Sequence, residues 1–173
     1  TFLELNNKKI PSEVQGKSLL AFLEKEEKSN HTALFGYWGG GANLADGNYT
    51  FFNYPDNMKR TDPNQYTLMP THLRQFFTLN ELRSAKLNGP FPFTKGIPVL
   101  KIKNDEEGPA IGNEVGDSMK FEDKKTALYD IINDPGQLNN IIDSRAKNLM
   151  TTEMQRKMIE NDAPKEVLER FGF

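Results

Sequence analysis

The chain has 173 residues, of which 36% are hydrophobic, and a net charge of −2 with both signs interspersed. This length suits one domain with its own core, and the balanced charge argues against a nucleic-acid-binding protein. The lack of cysteine excludes disulfides and thiolate metal sites, and no apolar run approaches the roughly 20 residues of a membrane span, so we predict a soluble chain.

Residues 1–30 are predicted to form a connector. The chain opens on Thr1-Phe-Leu-Glu-Leu5, without an initiator Met or a signal peptide, and we expect a piece of a longer protein. Ser18 to Glu27 is predicted to form a short helix with Ser18 as its N-cap.

The next stretch predicts two aromatic strands around a glycine-rich bend. Ala33 to Trp38 alternates small and large residues, and Tyr49 to Tyr54 is rich in aromatic, β-prone residues. Gly39, Gly40 and Gly41 allow positive φ in the bend, and Asp46-Gly47 is a hairpin signal just before the second strand.

The middle of the chain predicts two more strands and a helix before the last strand. Tyr66 to Pro70 is predicted to be extended, and Thr78 and Glu81 form a capping-box pattern that predicts a helix over Leu79 to Leu87. Residues 88–98 are predicted to be an ordered loop, because three prolines and two glycines interrupt them. Pro98 to Lys103 is predicted to be an edge strand, and Thr126 to Ile132 the last strand.

The C-terminal part is predicted to be helical. Three apolar patterns indicate this: Leu138 with Ile141 and Ile142; Met154 with Met158 and Ile159, after a second capping box from Thr152 to Gln155; and Val167 with Leu168 and Phe171, after Pro164. The resulting prediction is an α+β fold: a small antiparallel sheet of about four strands with a packed helix and a helical C-terminal tail. We divide the chain into a connector (1–30), an antiparallel α+β part (31–136) and the tail (137–173).

Three side chains are candidates for a binding site, and the sequence contains no complete catalytic motif. Trp38 either stacks on a sugar or aryl ring or belongs to the core. His72 is either a substrate-binding or proton-transfer group or, as we favour, a histidine at a helix start bonded to the backbone. Lys95, in the rigid loop, either binds an anion or is solvated. No metal-ligand set is predicted within this chain.

The order of several segments resembles the sulfatase family. The opening residues with Gln15-Gly-Lys-Ser-Leu-Leu20 resemble the segment that closes the sulfatase catalytic domain. Residues 31–40 and 43–51 are similar to the first hairpin of the family's C-terminal subdomain. Tyr66-Thr-Leu-Met-Pro-Thr-His72 and Pro92-Phe-Thr-Lys-Gly-Ile-Pro-Val-Leu100 resemble a bacterial arylsulfatase-like branch, and residues 128–137 resemble the family's late strand and turn.

This resemblance implies the C-terminal subdomain of an enzyme of the alkaline-phosphatase superfamily. In that family an N-terminal domain carries a formylglycine, made from a Cys/Ser-x-Pro-x-Arg motif, and a divalent, calcium-type metal. Neither the motif nor the metal-binding segments occur here, so no catalytic residue carries over and the chain is predicted to be inactive alone. Its implied partners are that catalytic domain, in the same full-length chain, and a sulfate-ester substrate. Trp38, His72 and Lys95 are candidates for the pocket rim.

Two other interpretations stay open: a free-standing carbohydrate-binding or protein-interaction module, and an independent enzyme with an unrecognised site. If a catalytic domain is missing, we expect an exposed apolar patch where it docks, through which the chain self-associates. The sequence indicates neither the substrate nor the compartment.

Overall fold

A computed structural model describes residues 1–14, 16–25, 32–36, 40–55, 64–73, 75–104, 125–141 and 143–173. The chain separates into two compact units, Thr1–His31 and Thr32–Phe173. The first unit contains helices α1 (Phe2–Leu5) and α2 (Leu20–Lys25). The Ser18 hydroxyl accepts a hydrogen bond from the Leu20 amide at 3.3 Å, so the predicted helix begins two residues after Ser18.

The described part of the second unit forms two antiparallel sheets and three helices. Its strands are β1 (Ala33–Gly36), β2 (Ala42–Ala45), β3 (Tyr49–Asn53), β4 (Gln65–Thr67), β5 (Lys86–Asn88), β6 (Val99–Ile102) and β7 (Ala127–Asp130). Its helices are α3 (Leu79–Ser84), α4 (Ser144–Glu160) and α5 (Lys165–Arg170), with a short 3-10 helix at Pro92–Thr94. The strand orders are β1-β2-β3-β7 and β4-β6-β5. The α+β prediction is confirmed, although the second sheet was not predicted.

The prediction of a two-stranded hairpin is wrong, because a further strand, β2, lies between the two predicted strands. Ala, Asn and Leu give this segment little intrinsic β preference, but it pairs on both sides and Leu44 is fully buried opposite Phe51. The Asp46 turn is confirmed: its Oδ1 accepts from the Asn48 and Tyr49 amides at 2.9 and 2.7 Å. A Cβ on Gly41 would lie 2.9 Å from the Asn53 carbonyl oxygen, so glycine permits the close approach of β2 to β3.

Helix α4 builds the main core by packing methionines against the four-stranded sheet. Met150, Met154 and Met158 recur every fourth residue and are at most 5% exposed. They meet the buried side chains Leu44, Phe51 and Leu128 of three adjacent strands. Val167, Leu168 and Phe171, predicted to share a helix face, also pack against this core.

The predicted start of α4 at Thr152 is wrong. Asp143 is the N-cap, with Oδ1 accepting from the Arg145 amide at 2.8 Å, so Thr152 lies inside α4. Residues 138–141 are not helical: Leu138 is 84% exposed, and the Ile141 amide donates to the Leu128 carbonyl at 2.7 Å. Ile142 lies outside the described residues.

The second sheet differs from two predictions, the edge position of the strand after Pro98 and the end of the helix after Thr78. The predicted edge strand is β6, at the centre of this sheet, and Pro98 precedes its first residue, so the missing proline N–H removes no bond from the ladder. The predicted helix ends at Ser84, and Lys86–Asn88 pairs with β6 instead. Within the described ranges, no helix combines the length and the apolar character needed to cross a bilayer.

Candidate functional site

Glu81 is a fully buried carboxylate at the start of α3. The predicted capping box is present: the Thr78 amide donates to Glu81 Oε2 at 2.8 Å, and the Thr78 hydroxyl accepts from the Glu81 amide at 3.1 Å. A capping carboxylate needs no burial to satisfy the helix end, but Glu81 has 0% exposure. Its side chain therefore needs further partners, which come from outside the helix.

His72 is the main additional partner of Glu81. Its Nε2 lies 3.0 and 2.9 Å from the two carboxylate oxygens, and Gln65 donates to Oε1 at 2.9 Å. Because a carboxylate only accepts, Nε2 carries the hydrogen, and Nδ1 is the remaining ring nitrogen. The His72 ring also meets Phe77 edge to face at 4.6 Å, and its side chain is 9% exposed. The ring is thus held from two sides.

The hydrogen bonds around Glu81 keep the carboxylate charged. Burial acts to raise the pKa of Glu81, but donation by the Thr78 amide, His72 and Gln65 outweighs burial and lowers that pKa below its ordinary value. The carboxylate is therefore ionised at neutral pH. A buried carboxylate that orients an imidazole is an arrangement that enzymes and metal sites use to fix a histidine.

The structure places the predicted candidates on separate segments. His72 precedes α3 by several residues and bonds to the Glu81 side chain, which corrects the interpretation of a helix-start histidine bonded to the backbone. Lys95 directly follows the 3-10 helix; its side chain is exposed, and its backbone adopts the left-handed conformation (φ 54°). Trp38 lies outside the described residues.

The segment from residue 68 to residue 97, which contains this cluster, carries many exposed apolar side chains. Scattered single apolar residues are normal on a protein surface, whereas a contiguous patch of them marks an interaction surface. We call the following nine residues the apolar segment. They are Leu68, Met69, Leu73, Phe76, Leu79, Leu82, Leu87, Phe93 and Ile97, with exposures from 44% to 85%.

A second polar cluster surrounds Glu166 of α5. Its Oε1 accepts from the Tyr66 hydroxyl and from Asn64 Nδ2 at 3.0 Å, and it pairs with Lys101 Nζ at 3.0 Å. Burial acts to raise the pKa of Glu166, but these donors and its own backbone amide lower it to about 2. Burial also raises the pKa of Tyr66, an effect that the neighbouring Glu166 carboxylate reinforces. No local sequence pattern predicts this cluster, because Asn64 and Tyr66 precede Glu166 by 102 and 100 residues.

Glu166 also lines a cleft of about 600 Å³, within the range of small-molecule sites. Two cationic, two acidic and two aromatic side chains contribute to it. The described lining residues are Asn53, Tyr54, Pro55, Thr126, Lys147, Glu166, Glu169, Arg170, Phe171 and Gly172. This mixture suits a polar ligand with an apolar ring, and these lining residues include no pairing of a nucleophile with a histidine base.

The described residues do not supply a metal centre: among them, no three His, Asp or Glu side chains are grouped so that they could hold an ion. The fold and its clusters define an α+β chain with a preorganised histidine and a segment rich in exposed apolar side chains. A comparison with protein-family models, with curated proteins and with solved structures found no match in any of the three.

Proposed function

We propose that this chain is the C-terminal part of a sulfatase-like sulfuric ester hydrolase. It braces the catalytic domain of the same full-length chain and lines its substrate pocket, and it is inactive alone. The observation that carries the proposal is the apolar segment. Two motifs that resemble the sulfatase family, residues 66–72 and 92–100, contribute Leu68, Met69, Phe93 and Ile97 to it. Exposed apolar side chains are stabilised when a partner covers them.

The fold agrees with what the resemblance implies for this subdomain. A four-stranded antiparallel sheet has α4 packed on one face, as expected for a small sheet with a packed helix. The second sheet holds the motif residues beside α3: β4 contains Tyr66, and Gln65 of the same strand binds Glu81. These contacts give the motif segment a fixed geometry for meeting another domain.

The partner domain would supply the chemistry, since formylglycine and the metal belong to it. This chain's contribution would be polar groups at the rim of the pocket. His72 is held with Nε2 toward Glu81, which leaves Nδ1 for a ligand, and exposed Lys95 offers a positive charge to a sulfate ester. Trp38 remains a rim candidate from the sequence alone.

The test compares three proteins in hydrolysis of an aryl sulfate: the full-length gene product, its part upstream of this chain, and this chain alone. We expect activity from the full-length protein, none from this chain, and recovery when the two parts are combined. A full-length product without Cys/Ser-x-Pro-x-Arg, or turnover by the 173-residue chain, would contradict the proposal. His72→Ala and Lys95→Ala in the full-length protein then test the rim role through KM.

The cleft beside Glu166 favours one alternative, a free-standing carbohydrate-binding module. Tyr54 and Phe171 offer aromatic surface and Glu169 and Lys147 offer polar groups, a combination that suits a sugar. Calorimetric titration of the isolated chain with sulfated and neutral oligosaccharides tests it. Binding that Tyr54→Ala abolishes would support this alternative, whereas no heat at millimolar sugar would remove it.

A further inference from the structure

The cleft beside Glu166 lies where the end of β3 and the residue before β7 meet the first turn of α4 and helix α5. Tyr54, Pro55 and Phe171 give it an apolar wall, and Phe171 also packs against the methionine core, which fixes its position. Mostly apolar walls with a few polar groups are the usual composition of a small-molecule site. Such a wall suits the flat face of a ring.

Two uncharged polar side chains of this cleft have their partners within the chain. The Thr126 hydroxyl accepts a hydrogen bond from the Tyr54 amide at 3.1 Å and donates to the Tyr54 carbonyl oxygen at 3.2 Å. Asn53 Nδ2 contacts Met154 Sδ at 3.6 Å. Both side chains therefore brace the wall, and the charged side chains decide which ligand the cleft attracts.

The charged side chains give the cleft an excess of positive charge. The described lining contributes two cationic and two acidic side chains. Each carboxylate already has a cationic partner that does not line the cleft: Glu166 pairs with Lys101 and Glu169 pairs with Lys165, both at 3.0 Å. The lining and these partners thus bring together four cationic side chains and two carboxylates. A cleft with this charge balance attracts a negatively charged ligand.

Lys147 is the cation in this lining that a ligand can engage directly. It lies in the first turn of α4 with an exposed side chain, and no carboxylate of the described residues forms an ion pair with it. Asp143, one turn earlier, uses its carboxylate to cap the helix, where Oδ1 accepts from the Arg145 and Ala146 amides at 2.8 and 3.5 Å. The ammonium group of Lys147 can therefore give its charge and its donors to a bound anion.

We propose that this cleft binds a small organic anion, a ring that carries one carboxylate or sulfate group, and that Lys147 selects for its charge. The ring lies against Tyr54 and Phe171, and the anionic group pairs with Lys147. This inference does not depend on the sulfatase assignment, because described residues of this chain build the cleft. It also differs from the carbohydrate alternative, since a neutral sugar brings no counter-charge for Lys147.

The test follows backbone amide signals in NMR spectra of this chain as four probes are added in turn. They are phenyl sulfate, benzoate, uncharged benzyl alcohol, and inorganic sulfate, which has no ring. We expect both ring anions to shift the signals of residues 53–54 and 169–172 with a Kd of about 1 mM, as suits such small ligands. Benzyl alcohol and inorganic sulfate should bind about tenfold more weakly, because each lacks one of the two contacts.

Two variants identify the residue that binds the anion. Lys147→Gln should raise the Kd of both ring anions about tenfold. Arg145→Gln is the matched control: it removes the same charge from the same turn of α4, but Arg145 is outside the described lining, so the Kd should stay within about twofold of the parent. Both side chains are exposed, so each variant should keep the melting temperature of the parent within about 2 °C.

Four results would overturn the inference. Benzyl alcohol that binds as tightly as benzoate means that the cleft does not select charge, and inorganic sulfate that binds as tightly as phenyl sulfate means an adventitious ion only. An equal loss of affinity in Lys147→Gln and Arg145→Gln means a general field instead of a site. No shift in residues 53–54 and 169–172 at about 10 mM of either ring anion excludes this ligand class.

The remaining outcomes specify the ligand or concern the other proposal. A preference for phenyl sulfate or for benzoate supports the site and identifies its oxyanion. A full-length gene product without the sulfatase motif removes the proposed function but leaves the anion titration of this chain unchanged. The two proposals therefore fail separately.

Discussion

Replacement of Glu166 by glutamine should weaken the contacts that join the two sheets and so lower the unfolding free energy of the chain. Tyr66 and Lys101 belong to β4 and β6, whereas Glu166 belongs to α5, whose Val167 and Leu168 pack on the core of the other sheet. The Glu166 carboxylate therefore joins the second sheet to the main core. Glu166→Gln keeps the shape of the side chain but removes the charge that binds Lys101 and the Tyr66 hydroxyl.

The size of the effect follows from the pKa of Glu166, which is about 2 in the folded chain against an ordinary value of 4.5. At about 1.4 kcal/mol for each pH unit, this difference corresponds to about 3 kcal/mol of unfolding free energy. The side chain of Glu166 is 28% exposed, and solvent weakens its ion pair with Lys101, so we expect a loss of about 2 kcal/mol at pH 7.

The pH dependence has a definite sign. Because folding lowers the pKa of Glu166, its stabilisation is complete above the ordinary value of 4.5 and disappears as the pH falls from about 4.5 to about 2. The difference in unfolding free energy between the parent chain and Glu166→Gln should therefore shrink across that window.

Urea denaturation followed by circular dichroism at pH 7, 5, 4 and 3 measures this difference. Glu169→Gln is the control on the same helix: Glu169 is 57% exposed and pairs only with Lys165 among the ion pairs described, so its loss should cost less than about 0.5 kcal/mol. A difference for Glu166→Gln that is below this value, or that stays constant down to pH 3, would refute the reasoning.

Three further predictions concern the core, the helix cap and the apolar segment. Met154→Ala should lower the unfolding free energy, measured in urea, by about 2–5 kcal/mol because Met154 is fully buried. Ile159 is exposed, so Ile159→Ala should lower the same free energy by less than about 1 kcal/mol. Thr78→Ala should cost about 1–2 kcal/mol by the same measurement, since the Glu81 amide loses its acceptor; a neutral result would mean that the capping bond is not important. The isolated chain should self-associate in sedimentation velocity, and Leu73→Ser with Phe76→Ser should reduce this without lowering stability; a strictly monomeric parent chain would count against a docking role.

The elements predicted best from sequence are those whose local signals agree with their tertiary packing. The capping box at Thr78, the Asp46 turn and the helix after Pro164 appear where expected. Strand β2 was missed because Ala42–Ala45 has little intrinsic β preference and forms through pairing on both sides.

The start of α4 shows where a competing signal was available in the sequence. Thr152 fits a capping box, but the spacing of Met150, Met154 and Met158 continues across it, and a helix that buries all three must begin earlier. Asp143 is the residue that caps it. The apolar repeat was therefore a better guide to this boundary than the local capping pattern.

The site was less predictable than the fold. The capping role of Glu81 follows from local spacing, but its bonds to Gln65 of β4 and to His72 come from segments outside α3, which the capping pattern does not predict. The approach of Tyr66 to Glu166 depends on how β4, β6 and α5 pack, which spacing along the chain does not encode.

The methionine core makes this fold sensitive to oxidation. A thioether converted to its sulfoxide becomes polar and no longer packs against Leu44 and Phe51. Since Met150, Met154 and Met158 are shielded while α4 is docked, peroxide can reach them only when the helix separates from the sheet. Once modified, these side chains would oppose the return of α4, so that a brief opening leaves a lasting chemical mark.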